Sequence, residues 1–339
     1  MSLVKKIHIE GIKAGHIQGI AIDSNREYMY CSFTTCLLKL DMDGNIVGSV
    51  KGLVGHLGCI AFNDEDGRVY GSLEYKHDCI GKDLTGGRDV EEGFYAAIFD
   101  VEKIDRVDMD AETDGVMTAV YLKEVCDDYL FEGHRYGCSG IDGFTFAPIP
   151  GKKDGKKYVY VAYGIYSEVD RTDNDCQIIL RYDISDWNKC AKALNQENMH
   201  KSGPEKYDDK YFVYTGNTNF GIQNLEYVKE YDCMLAAVYR GRKPQFPNKC
   251  LYAIDLSKEN KYENVKGIDE KVKTLPLCLF GAEKAENGIS GSDFPYGSTG
   301  MISLGDGLFY FSKNFHRENE GHGSDICLFS FDGENFTEI

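Results

Sequence analysis

Short runs that alternate apolar and polar residues recur along the whole chain, and five of them begin with a polar or glycine-containing turn. Alternation with a period of two is typical of β-strands, and segments that resemble one another indicate a repeat architecture. These runs are residues 16–22, 56–62, 140–146, 221–227 and 297–303. We expect them to be five equivalent strands of one repeated unit.

Each run is followed by a turn rich in Asp, Asn, Gly or Lys and then by a second and a third strand. The third strands end in Asp and are residues 37–41, 97–100, 179–183, 251–255 and 328–332. An Asp in that place accepts hydrogen bonds from backbone amides ahead of it and starts a turn, as in Asp43-Gly44. The pattern therefore predicts antiparallel hairpins in every unit.

A fourth, outer strand completes each unit at residues 45–50, 116–122, 211–214 and 271–279. The fifth outer strand is best supplied by residues 4–9, so that the two chain ends close one blade. Four antiparallel strands per unit, repeated radially, define a propeller. The predicted fold class is all-β, a five-bladed β-propeller, with residues 1–339 as a single domain.

The spacing of the units is uneven, which leaves two interpretations open. Either extra blades occupy the long intervals, giving six or seven, or five blades carry long insertions. The intervals contain a helix-like segment at residues 186–198 and polar loops, but no further set of strands ending in Asp. Five blades is the favoured count.

Composition excludes several classes of protein. No run of about 18 apolar residues occurs among the 339, so a membrane-spanning helix is not expected. The net charge of −17 argues against a duplex nucleic-acid partner, because phosphate binding needs a concentrated positive patch, and favours solubility. Twelve scattered cysteines without a CxxC pair favour buried free thiols and a cytoplasmic location, although bridges stay open. Export stays open as well if a signal peptide has been removed before Met-Ser-Leu.

Propeller connectivity sorts the polar residues onto faces. The loop before each inner strand and the loop between the second and third strands emerge together, and six of the eight histidines fall in these loops. Binding residues usually lie on loops held by a rigid scaffold, and a channel mouth is a natural concavity. The predicted ligand-binding residues are His16, Gln18, His56, His134, Arg135, Gln223, Arg240, Lys243, Asp293, Tyr296, Lys313, Asn314 and His316.

One position of the inner strands is unusual. Its occupants are mostly small or apolar, but Glu226 places a carboxylate at the channel wall. A carboxylate there needs a hydrogen-bonding or charged partner, or a functional role. Asp142, from the neighbouring unit, could complete an acid–base pair with it. The competing interpretation is that Glu226 pairs with Arg240 or Lys313 and only links blades.

Cofactor signals are weak. A divalent cation on the axis, with His16, His56, Asp142 and Glu226 as ligands, is compatible with these residue types, but no metal-binding motif supports it. The chain has no GxSxG elbow and no phosphate-binding glycine loop.

The modules, with strands such as Tyr158-Val-Tyr-Val and Leu37-Leu-Lys-Leu-Asp41, resemble the broad superfamily of bacterial propellers that includes NHL-type, gluconolactonase-type and glutaminyl-cyclotransferase-type proteins. Residues 214–227 and 293–312 resemble uncharacterised bacterial propeller proteins, which imply no activity. Plant-type glutaminyl cyclotransferases use a channel carboxylate, a role that this resemblance implies for Glu226. Their glycine- and tryptophan-containing signatures are not apparent here.

Two functional hypotheses follow. The first is a hydrolase or lyase that acts on a small polar or carbohydrate-like substrate, with Asp142 and Glu226 in acid–base roles and Arg135, Arg240, Lys243 and Lys313 neutralising an anionic group. The second is a non-catalytic propeller that binds a ligand or a protein partner with the same face.

Overall fold

The computed structural model describes residues 3–86, 90–216, 219–281, 283–284, 288–318 and 321–339. Strands dominate these residues. The α-helices found there are two short ones, α1 (Cys79–Leu84) and α2 (Lys123–Leu130). Neither of these described helices is long and apolar enough to cross a membrane.

The strands follow in chain order. The first thirteen are β1 (Lys6–Ile12), β2 (Ile17–Ile22), β3 (Tyr28–Phe33), β4 (Cys36–Asp41), β5 (Ile46–Lys51), β6 (His56–Asn63), β7 (Arg68–Tyr75), β8 (Gly93–Phe99), β9 (Met109–Asp110), β10 (Met117–Tyr121), β11 (Cys138–Ala147), β12 (Tyr158–Ile165) and β13 (Cys176–Tyr182). The others are β14 (Asp209–Tyr214), β15 (Asn219–Val228), β16 (Cys233–Tyr239), β17 (Leu251–Asp255), β18 (Lys261–Asn264), β19 (Lys271–Thr274), β20 (Glu283–Lys284), β21 (Ser290–Gly291), β22 (Met301–Gly305), β23 (Leu308–Arg317), β24 (Gly321–Phe331) and β25 (Phe336–Glu338).

These strands form five antiparallel blades, which confirms the predicted five-bladed β-propeller. Blade 1 is β2-β3-β4-β5, blade 2 is β6-β7-β8-β10, blade 3 is β11-β12-β13-β14, blade 4 is β15-β16-β17, and blade 5 is β22-β23-β24-β1. The short β9 extends blade 1, and β19 and β18 extend blade 3. The hairpin turns form as predicted: the Asp41 carboxylate accepts from the Asp43 and Asn45 amides at 3.0 and 2.8 Å.

The inner strands of the five blades approach one another closely around the axis. A Cβ atom added to Gly19 would lie 2.7 Å from the Ile60 amide nitrogen of the next blade, and one added to Gly143 would lie 2.8 Å from Ile222. Asn224 occupies the equivalent position in blade 4, where its amide donates to the Gln18 carbonyl of blade 1 (2.7 Å) and the Ser298 carbonyl before blade 5 (3.1 Å). One side chain therefore connects three parts of the ring.

The N-terminal strand closes the ring as predicted. Strand β1 pairs with β24 in the register Ile7 to Ile326, and the backbone of Lys5 accepts a hydrogen bond from Leu328 at 2.8 Å. The hydroxyl of Tyr310 donates to the Val4 carbonyl at 2.7 Å. Blade 5 is thus assembled from both ends of the chain.

Two details of the prediction were wrong. Residues 271–279 were expected to be the outer strand of blade 4, but β19 pairs in parallel with β14 of blade 3, and only the backbone of residues 276–278 follows β17. Residues 186–198 form one turn of 3-10 helix, Trp187–Lys189, rather than a longer helix. Lys192 instead exchanges backbone hydrogen bonds with Ala119 of β10, which holds that stretch extended.

The eleven cysteines whose side chains are described are free and mostly buried, in line with the sequence analysis. They contribute to apolar clusters between adjacent blades, such as Cys59 and Cys138 beside Phe144. In these positions they act as small hydrophobic residues.

The closure strand yields a prediction about stability. Ile7 is 1% exposed and packs between β24 and blade 1, whereas the neighbouring Lys5 is exposed. We expect Ile7→Ala to lower the free energy of unfolding by about 2–5 kcal/mol. Lys5→Ala, the matched control, should change it by no more than about 0.5 kcal/mol. Urea unfolding measures both, and equal effects would contradict closure through β1.

Candidate functional site

β-Bulges place the polar residues of the inner strands. The pairing register shifts between Ile17 and Gly19, between Ile141 and Phe144, and on both sides of Ile222. The extra residue at these shifts is Gln18, Asp142 or Gln223, each from the third position of the repeated motif. A bulge re-aims a side chain that regular pairing would fix, and bulges are over-represented beside active sites.

Two carboxylates converge on one imidazole at the start of β6. Nδ1 of His56 lies 3.7 Å from Oε1 of Glu74 and 3.7 Å from Oδ1 of Asp142. Glu74 is the cross-strand partner of His56 in blade 2, whereas Asp142 is the bulge residue of blade 3. The Glu74 side chain is 4% exposed and the other two are 15% exposed. We call these three residues the mouth triad.

Neighbouring groups hold the mouth triad in place. Lys76 donates to Oε1 of Glu74 at 2.5 Å and to the Ser139 carbonyl at 3.0 Å. The backbone amide of Ile141 donates to Oε2 of Glu74 at 3.0 Å. Gln223 donates to Oδ2 of Asp142 at 3.0 Å, so blade 4 also contributes to the arrangement. The triad is therefore fixed by hydrogen bonds from three blades.

Burial governs the ionisation of these groups. Loss of solvent, reinforced by the nearby Lys76 charge, lowers the pKa of His56 to about 3, so its imidazole is neutral. Burial also raises the pKa of Glu74, which the Lys76 ammonium opposes. The pKa of Asp142 is raised well above its usual range by burial and then by the Glu74 charge. Neutral imidazole with two crowded carboxyl groups is a costly arrangement that suits a functional site.

A small enclosed space adjoins the mouth triad. A cavity of about 10 Å³ is lined by His56, Glu74 and Lys76 together with Gly81 and Leu84 of α1. Such a volume accommodates about one water molecule. The loop that carries α1 therefore packs directly against the site from the side of blade 2.

A row of histidines leads from blade 5 to the same mouth. The His316 and His322 rings lie 4.6 Å apart, and His322 lies 6.3 Å from His16, measured between ring centroids. Nε2 of His16 is 3.3 Å from the amide nitrogen of Gln18. Burial, with the His322 charge, lowers the pKa of His16. Asn314, from the hairpin that carries His316, donates to the Ile17 carbonyl at 3.2 Å.

The predicted cations each pair with a carboxylate of the protein. Arg135 donates to Asp128 at 3.0 Å, Arg240 donates to Asp293 at 2.7 Å, and Lys313 lies 2.5 Å from Glu338. Lys313 also lies 4.9 Å above the ring of Tyr296. Lys243 is completely buried, where it bonds Asp175, the Arg171 carbonyl and Asn174, the last at 2.7 Å. His134, another predicted residue, packs on Tyr129 and Tyr166. A role for these residues toward an anionic ligand stays a prediction.

The pairing of Lys243 yields a prediction that separates a structural role from a binding role. Removing one member of a buried ion pair leaves the other charge uncompensated, so Lys243→Ala should cost about 3–5 kcal/mol of unfolding free energy. Arg240→Ala, whose pair with Asp293 is half exposed, should cost less than about 1 kcal/mol. Chemical denaturation of both variants provides the measurement. If both variants lost less than about 1 kcal/mol of unfolding free energy, a structural role for Lys243 would be contradicted.

Glu226 has partners different from those of Asp142. Its Oε1 accepts a hydrogen bond from the Ser303 amide of blade 5 at 2.9 Å. It lies three positions beyond Gln223, the partner of Asp142, on β15. The alternative pairing with Arg240 or Lys313 is wrong, because those cations bind Asp293 and Glu338. Burial raises the pKa of Glu226 to about 8, opposed by the Ser303 hydrogen bond and the more distant Lys157 charge.

The raised pKa of Glu226 predicts a pH-dependent stability. Between its unfolded value of 4.5 and about 8, the folded protein retains a proton that the unfolded chain releases. Stability should therefore fall as pH rises through this window, by up to about 1.4 kcal/mol per pH unit, and level off above it. Glu226→Gln should lack this component. Unfolding free energies of both proteins at pH 5, 6, 7 and 8 measure it, and a constant difference would contradict it.

Glu74 and Lys76 were not among the site residues predicted from the sequence. A signal was present, because Glu74 interrupts the apolar end of the second strand of blade 2. The metal ligands expected from sequence are separated: His56 and Asp142 join Glu74, whereas His16 contacts Gln18 and His322. Glu226 contacts Ser303.

Comparison with known proteins adds little to this picture. No family model matches the sequence, and no curated protein matches it significantly. The chain is similar to the Dos1 propeller at 11% identity and a TM-score of 0.36, over 90% of this chain but only 56% of that one. It is similar to the soluble aldose sugar dehydrogenase of Escherichia coli at 8% identity and a TM-score of 0.38, over 93% and 96% of the two chains.

A functionally unknown protein from Desulfotomaculum acetoxidans is similar at 9% identity and a TM-score of 0.39, over 100% of this chain and 77% of that one. Scores at this level carry no weight for function. The blade topology itself defines the class of protein, a five-bladed β-propeller, and no particular activity follows from the likenesses.

Proposed function

We propose that the channel mouth binds a small polar or carbohydrate-like molecule and acts on it as a hydrolase or lyase. The reactive groups would be Asp142 and Glu74 beside His56. The acid–base pair predicted from the sequence was Asp142 and Glu226. In this proposal Glu74 replaces Glu226 as the partner of Asp142. The reason is that Glu74 and Asp142 approach the same imidazole nitrogen, whereas Glu226 contacts the backbone of blade 5.

One observation carries the proposal: buried polar atoms at this end of the channel have no hydrogen-bond partner. Nδ1 of His56, Oδ1 of Asn224 and Oδ1 of Asn314 are in this condition, as are side-chain atoms of Arg181, Tyr182 and Trp187 elsewhere in the described part of the chain. Native proteins satisfy nearly all such atoms, so unsatisfied ones need an explanation such as a ligand or an ordered water. A polar ligand would supply the missing bonds.

The chemistry of the mouth triad supports a reaction as well as binding. An imidazole and two carboxyl groups are the side chains that most often transfer protons in enzymes. Hydrogen bonds from Gln223 and Ile141 fix their positions, and proton transfer depends on such fixed geometry. Hydrolysis and elimination both need groups of this kind.

Binding without catalysis is the second candidate, and the size of the enclosed space favours it. The cavity beside the triad has room for about one water molecule, so a larger ligand would rest above the triad. The triad would then recognise a polar group of the ligand without reaching a reacting bond.

The test combines ligand binding with turnover. Purified protein is screened by thermal shift against mono- and disaccharides and sugar acids, then assayed with p-nitrophenyl glycosides and with polyuronides. We expect a stabilising compound whose binding weakens by about tenfold or more in Gln223→Ala, because a buried hydrogen bond to the site is lost. Asp142→Asn should lower turnover by about 100-fold or more.

Asp183→Asn is the matched control, because Asp183 pairs with Lys156 in the turn after β13, away from the site. It should leave binding and turnover unchanged. Binding without turnover in the unmodified protein would favour the non-catalytic candidate. Failure of every compound to bind, or equal losses in the control variant, would contradict a ligand site at the mouth.

A further inference from the structure

The mouth triad has the geometry of an empty coordination shell. The three donor atoms, Nδ1 of His56 and one oxygen each of Glu74 and Asp142, all lie within 4.8 Å of one another. Both carboxylate oxygens are 3.7 Å from the imidazole nitrogen, too far for a hydrogen bond. Adjacent ligands of an octahedral ion with bonds of about 2.1–2.4 Å are separated by roughly 3.0–3.4 Å. A contraction of about 0.3–0.7 Å in the two distances from His56 would bring both carboxylate oxygens into that range.

Each donor has a lone pair available for an ion. Nδ1 of His56 is buried without a hydrogen-bond partner. Gln223 bonds Oδ2 of Asp142, and the oxygen that faces His56 is Oδ1. Oε1 of Glu74 accepts one hydrogen bond from Lys76, which leaves its second lone pair. All three donors can therefore bind one ion together.

The surrounding hydrogen bonds match those that orient metal ligands. Ile141 holds the second oxygen of Glu74, and Gln223 holds the second oxygen of Asp142. Partners of this kind fix ligand orientation in metalloproteins. Ser72 adds a bond to the Asp142 carbonyl at 2.7 Å, which ties the bulge itself to blade 2.

We propose that the mouth triad binds one divalent transition-metal ion, with His56, Glu74 and Asp142 as its protein ligands. One imidazole and two carboxylates suit ions such as Zn²⁺ and Mn²⁺. Three protein ligands leave coordination positions open, as in catalytic rather than structural sites. The role of the ion rests on the proposed function, because the ion would belong to the same ligand site and its open positions, rather than the ligating carboxylates, would contact the substrate. The site itself rests on the geometry of the triad.

In the absence of an ion, the ammonium of Lys76 neutralises part of the negative charge of the site. Its ammonium contacts Oε1 of Glu74 and lies 3.5 Å from Asp78. With Glu74 and Asp142 both ionised as ligands, these two carboxylates and the Lys76 ammonium carry a charge of −1, which a divalent ion changes to +1. Removing the ammonium should therefore tighten metal binding, because a positive charge close to the ion is repulsive.

The experiment is a calorimetric titration of chelator-treated full-length protein with ZnCl₂ and, separately, MnCl₂. We expect one equivalent of ion to bind to the unmodified protein. His56→Gln and Asp142→Asn should each weaken binding by at least about 100-fold, since loss of even an outer-shell partner costs 10–100-fold. Lys76→Met should tighten it by about tenfold or more. Circular dichroism verifies that each variant is folded.

The exposed His8 provides a matched control. It also contacts two carboxylates, but Asp325 is at Nδ1 (2.6 Å) and Glu10 is at Nε2 (3.3 Å), so they do not converge on one donor atom. His8→Gln should leave the affinity unchanged. No stoichiometric binding, or binding that His8→Gln abolishes and His56→Gln retains, would overturn the inference.

The titration contains no organic ligand, which separates its failure from that of the proposed function. If the ion does not bind but a sugar stabilises the protein, the metal inference alone is lost. If the ion binds and no polar compound does, the metal site stands and the proposed function is lost.

Discussion

Close packing of the inner strands around the axis is the constraint on which the rest of the structure depends. Gly19 and Gly143 leave no room for a side chain, because the neighbouring blade lies within van der Waals contact of their backbone. At the equivalent position of blade 4, Asn224 extends across the axis and joins the backbone of blades 1 and 5. The narrow channel that results brings side chains from separate blades within bonding distance.

The bulges convert this scaffold into a site. In regular pairing, Asp142 and Gln223 would alternate with their neighbours between the two faces of a blade. As the extra residues of bulges they meet each other, and Asp142 also reaches the imidazole of His56 from blade 2. The mouth triad is thus a product of local irregularity in strands whose overall pattern is repetitive.

The repeat made the fold predictable, because period-two alternation and turn-forming Asp residues act locally. Five blades, the closure by residues 4–9 and the inner strands followed from it, although the fifth inner strand begins only at Met301. The pairing of residues 271–279 could not be predicted from the repeat. Whether they join blade 3 or blade 4 depends on contacts between residues that are far apart in sequence. The connectivity of the blades predicted which face of the propeller carries His16, His56 and Asp142. The pairing of Lys243 with Asp175 was not, since burial of a lysine is decided by tertiary packing.

The closure of blade 5 has a consequence for synthesis in the cell. Strand β1 is synthesised before blades 1 to 4, but its partner β24 follows all four of them in the chain. Strand β1 must therefore wait, with its apolar face uncovered, until β24 has been synthesised. Pairing across such a separation slows folding and leaves an edge open to aggregation in the meantime. The late pairing closes the ring of blades, and it leaves β1 vulnerable in the interval before β24 is available.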